Sequence, residues 1–117
     1  MEPKLRPDGS FCVEVALRIE ADAPDHLGAR LALWFENWTA TNQEWTWESG
    51  RRLRYVDDFS GAPHFVECAA GVLRFHLEGK PGAKWWKDWL ILRLLKDLQE
   101  AFVEVKAVDK IHDCPGQ

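Results

Sequence analysis

The spacing of hydrophobic positions changes along the chain, and each change marks an element. "FCVEVALRIEA" alternates: Phe11, Val13, Val15, Leu17 and Ile19 fall on one side, and Cys12, Glu14, Ala16, Arg18 and Glu20 on the other. A period of two with one polar side predicts a half-buried strand of an antiparallel sheet. Leu27, Leu31, Trp34 or Phe35, and Trp38 then recur at helical spacing. Asp22, Pro24 and Asp25 suit the first turn of that helix, where the helix dipole is positive and proline removes no hydrogen bond. "TATN" ends it with turn-favouring residues.

"EWTWESGRRLRYVDDF" is rich in Trp, Thr, Tyr and Val and predicts a strand, with a bulge or bend at Gly50. "SGAP" predicts a turn. "HFVECAAGVLRFHLEG" predicts the return strand, with Leu73, Phe75 and Leu77 inward, Arg74, His76 and Glu78 outward, and a second bulge at Gly71. A Pro-Gly turn leads into a second helix with Leu90, Ile91, Leu94, Leu95 and Leu98 on its apolar side and Trp85 and Trp89 one turn apart. "FVEVKAV" alternates as a last strand, leaving residues 1–10 as an extension and 111–117 as a tail. The order β-α-β-β-α-β predicts an α+β chain of one domain, a ferredoxin-like split sandwich with both helices on one face of an antiparallel sheet. Right-handed crossovers give the strand order 4-1-3-2.

Composition narrows the function classes. Hydrophobic residues make up 46% of the 117, enough for a packed core without covalent staples. No apolar run reaches the length of a membrane span, and the first residues carry charges with no apolar stretch. The expectation is a cytoplasmic protein with no membrane partner. The formal charge of −4 argues against nucleic acid, whose binding rests on neutralising phosphates. The outward side of the central strands also lacks the aromatic platform that RNA recognition uses on this fold. Three cysteines at irregular spacing, Cys12, Cys68 and Cys114, predict reduced thiols with no disulfide framework.

The seven tryptophans are the strongest compositional signal. Trp34, Trp38 and Trp89 fall on helix stripes that face the core. Trp45 and Trp47 begin a strand near a sheet edge, and the neighbours Trp85 and Trp86 cannot both point inward from a helix. At least one of each pair is expected at the surface, and exposed tryptophan is enriched at binding hot spots.

The leading expectation is therefore a non-catalytic module that binds another protein or a second copy of itself. Its contact residues would be Trp45, Trp47, Trp85 and Trp86 at the rim and Glu14, Arg18, Arg74 and His76 on the open sheet face. A small immunity-type or regulatory protein is one form of this. The alternative is a small-ligand protein or enzyme with a pocket between the sheet and the tryptophan-rich segments, though no nucleophile–base pair or phosphate motif stands out. No cofactor is required. One metal set is worth naming: alternation and strand order bring Cys12, His76 and His112 to one end of the open face, with Cys114 just beyond. Two thiols and two imidazoles suit tetrahedral zinc.

Overall fold

In a computed structural model of the protein, residues 9–20, 26–69 and 71–115 are described. The predicted start of the first helix at Asp22, Pro24 and Asp25, and most of the N-terminal extension, lie outside the described residues. The elements are β1 (Phe11–Ile19), α1 (Leu27–Thr41), β2 (Glu44–Thr46), β3 (Arg52–Arg54), the one-turn helix α2 (Tyr55–Asp58), β4 (His64–Ala69), β5 (Val72–Gly79), α3 (Lys87–Ala101) and β6 (Val105–Asp113). The protein is α+β: the described residues form four antiparallel strands in the order β4-β5-β1-β6, a separate β2-β3 hairpin, and three α-helices.

The alternation of β1 sets the layers. Val13, Val15 and Leu17 join Leu73, Phe75 and Leu77 of β5 in one buried cluster with the stripes of α1 (Leu27, Leu31, Phe35) and α3 (Leu90, Leu94, Leu98). Phe35 lies over Phe75 with ring centroids 4.9 Å apart, which fixes α1 above β5. Burying side chains of this size contributes roughly 1.5–3 kcal/mol each.

Three predicted elements differ. The run 64–79 is not one bulged strand but the β4-β5 hairpin, paired from His64↔His76 to Ala69↔Val72. Gly71 sits in the reversal at φ +79°, a conformation that costs glycine nothing. The run 44–58 does not enter the main sheet: β2 and β3 pair with each other, Tyr55–Asp58 is helical, and only Phe59 reaches the sheet, by an isolated bridge to Gly79 of β5. Tyr55 is buried there, stacks on Phe59 at 4.8 Å and donates its hydroxyl to the Gly61 carbonyl at 2.8 Å. Removal from water holds that phenol well above its ordinary range. Finally, β6 runs on to Asp113, so residues expected as a tail complete the sheet beside β1.

Candidate functional site

On the side of the sheet away from the helices, register brings chemistry into a row. Glu14 on β1 pairs with His76 on β5 and with His112 on β6, and His76 pairs in turn with His64 on β4. Glu14 Oε1 meets His76 Nε2 at 2.9 Å, and Oε2 meets His112 Nε2 at 3.0 Å. The imidazoles of His64 and His76 touch edge to face at 5.6 Å. Glu14 is only 7% exposed, because longer side chains from both neighbouring strands flank it. Burial alone would raise its carboxyl. The hydrogen bond with His76 and the positive charge of His112, His76 and Arg74 outweigh that, and the group lies below its ordinary value of 4.5. Arg74 itself is paired with Glu67 at 3.0 Å, and Arg18 is exposed.

One step along β1, Cys12 and Cys114 are joined by a disulfide, their Cα atoms 5.4 Å apart. This corrects the expectation of reduced thiols throughout. The two cysteines are 102 residues apart, and only the antiparallel return of β6 beside β1 makes them neighbours. Cys114 N–H donates to the Cys12 carbonyl at 3.1 Å, which continues the ladder through the pair. The sulfurs and a ring nitrogen of His76 all lie within 4.8 Å of one another. Of the four residues expected to share a metal, Cys12, His76 and Cys114 thus meet, while His112 turns to Glu14. Cys68 is a free, half-buried thiol whose ionisation burial opposes.

The tryptophans form a second region, built by the hairpin that left the sheet. Trp45 packs against Trp38 of α1 at 6.2 Å and Trp89 of α3 at 5.6 Å. Trp38 Nε1 donates to Asp97 of α3 at 2.9 Å, so an indole also ties the two helices together. Trp85 and Trp86 precede α3 and do not lie on it. The chain there turns through a short 3-10 segment, Pro81–Ala83, and sends the two indoles opposite ways. Trp86 is 1% exposed, with Nε1 donating to Asp58 at 2.7 Å, so it is core and no surface anchor. Trp85 is 45% exposed. It meets not Trp89 but Trp47, edge to face at 5.4 Å, and Trp47 bridges to Trp89 at 5.7 Å. The Arg51 guanidinium lies 4.5 Å above the Trp85 ring. Trp45 and Trp47 are half-buried.

The contact residues expected on one continuous surface are therefore divided between the outer sheet face (Glu14, Arg18, Arg74, His76) and the hairpin end (Trp47, Trp85). His64 and Arg51 join these regions unforeseen. A single strand over 64–79 would keep His64 far from His76, and only the small residues around Gly71 point to the reversal that pairs them. Nothing in the sequence marks Arg51 apart from its place after Gly50.

Open grooves of about 310 and 300 Å³ lie between α3 and β6 and beside His64. The first is lined by Lys87, Asp88, His112 and Asp113 as well as Ile91 and Ile111. Among the described residues no helix is long and apolar enough to cross a membrane. No protein-family model, curated protein or solved structure matches the chain.

Proposed function

We propose that the chain is a non-catalytic protein-binding module whose contact surface centres on Trp85, with Arg51 and Trp47 beside it. One observation carries this reading: of seven tryptophans, Trp85 alone stands exposed, with nearly half its surface open, and a guanidinium is already stacked on it. Tryptophan and arginine are the residue types most enriched at binding hot spots. A stacked pair also loses little freedom when a partner arrives. Exposed Lys84 is next to Trp85 and exposed Glu48 is next to Trp47, so the rim of the patch is of mixed charge. The partner is accordingly a protein that sets an apolar contact against the indoles and places an acidic group opposite Arg51. An immunity-type or regulatory protein fits this reading, and a second copy of the chain is the competing occupant. The charged lining of the groove between α3 and β6 gives the small-ligand alternative little support.

The same proposal extends to the fold family. The order β4-β5-β1-β6, with α1 after β1 and α3 after β5, supports an elaborated ferredoxin-like sandwich. The β2-β3 hairpin and α2 are then an insertion between α1 and β4 that carries the contact surface.

The test is capture from an extract of the source organism on immobilised wild type and on a Trp85→Ala, Arg51→Ala variant. Circular dichroism first establishes that both fold alike. A partner held by wild type, weakened by salt and lost by the variant is the expected result. Equal recovery on both, or a partner held by neither, overturns the assignment of this patch. Self-association of wild type in sedimentation, lost in the variant, identifies the partner as the chain itself.

A further inference from the structure

We propose that Cys12, Cys114 and His76 form a thiol-switched zinc site on the outer face of the sheet. Opening the disulfide creates a site for one Zn²⁺ per chain, and closing it expels the ion. The three ligand atoms already lie within 4.8 Å of one another. Tetrahedral zinc, with bonds of about 2.3 Å to sulfur and 2.0 Å to nitrogen, requires ligand atoms roughly 3.3–3.8 Å apart. The sulfurs must separate and the nitrogen close in slightly. Side-chain rotation supplies such shifts while the β1-β6 ladder holds the backbones.

The surroundings are those of a metal site. Cys12 and Cys114 are buried at 6% and 4% exposure, whereas His76 reaches the rim, which gives the ion a route in. The Glu14 carboxylate holds His76 Nε2 at 2.9 Å. A carboxylate that orients a ligating imidazole is the usual outer partner of a zinc histidine. A disulfide on its own calls for neither an adjacent imidazole nor a carboxylate behind it. With three protein ligands, the fourth position falls to water, since both Glu14 oxygens are engaged by imidazoles.

The chemistry balances with glutathione as the exchange partner. Two glutathione thiols reduce the Cys12–Cys114 bond, giving two protein thiols and one glutathione disulfide. Zinc binding releases the two thiol protons. In reverse, glutathione disulfide takes two electrons from the zinc-bound thiolates and two protons from water. It leaves as two thiols while the sulfur–sulfur bond re-forms and Zn²⁺ departs. Cys68 lies on β4, outside the ligand group, and stays a thiol throughout.

The test uses the full chain. Protein reduced with a phosphine is titrated with Zn²⁺ against a chromophoric chelator and with Co²⁺ for its thiolate charge-transfer absorption. One metal per reduced chain and none per oxidised chain is expected. Glutathione disulfide should then release one zinc as two thiols disappear. Cys12→Ser, Cys114→Ser protein should bind no metal. His76→Ala keeps both cysteines and can still form the disulfide, so it reports on the site if the double variant misfolds. It should weaken zinc affinity by at least ~10-fold. Reduced wild type that takes up no stoichiometric zinc overturns the proposal. So does His76→Ala protein with wild-type affinity, or a reduced chain that zinc cannot keep folded.

Discussion

Glu14 shows how one buried carboxylate can be kept charged at the centre of a sheet, since each of its oxygens faces an imidazole from a different strand. Because its folded-state value is depressed, the stability it contributes is complete above its ordinary value of 4.5 and is lost as pH falls through the lower, folded value. Urea denaturation of the oxidised, metal-free protein should therefore show stability falling with acid in that window. Glu14→Gln should flatten that part of the profile and bring the two proteins closer together at low pH than at pH 6. The adjacent indoles give a second contrast at this scale. Trp86→Ala empties a buried site and strips Asp58 of its donor, so it should cost roughly 3–5 kcal/mol. Trp85→Ala removes a half-exposed ring and should cost no more than about 1 kcal/mol. Paired denaturation curves would separate the two, and similar losses would mean that Trp85 is structural.

Elements with a strict period were readable from the pattern, and those defined by their pairing partner were not. The apolar stripes of α1 and α3 follow from helical spacing, because each buries one face, and β1 follows from alternation, although the side expected to face solvent is buried as well at Cys12, Glu14 and Ala16. The β4-β5 reversal was disguised, since the residues around it are alanines with one glycine and lack a strong turn signature. The run 44–54 has strand chemistry, but strand propensity describes fitness for a packed surface and is silent on which strand lies alongside. Much the same divides the site. The approach of Cys12, His76 and Cys114 follows from alternation once β1 and β6 are antiparallel neighbours. The choice between thiol and disulfide, and the turning of His112 to Glu14, depend on side-chain geometry that no spacing encodes. Gly79 offers a test of the register itself. It pairs with Phe11, and a Cβ there would stand 2.4 Å from the Phe11 ring. Gly79→Ala should displace that ring and destabilise the protein by about 1–3 kcal/mol, measured by urea denaturation. A neutral result would mean that Phe11 packs elsewhere.

Across the whole molecule, the disulfide ties the first strand to the last over a separation of 102 residues. Loop-closure arguments assign a bridge of that span about 4–5 kcal/mol, and measured values for native bridges run at roughly 2–5 kcal/mol. Unfolding in urea with a metal chelator present should accordingly shift to lower denaturant on adding reductant. An unchanged midpoint would mean that the sheet needs no bridge. The placement of the bond also decides how the protein answers a mechanical pull. The start of β1 and the end of β6 lie side by side, so a force applied at Ser10 and Pro115 would tear their hydrogen bonds one at a time, like a zip. With Cys12 joined to Cys114, that force passes through a covalent bond a few residues from where it enters, and the sheet behind it feels none. The redox state of one sulfur pair thereby sets whether the fold can be opened from its ends.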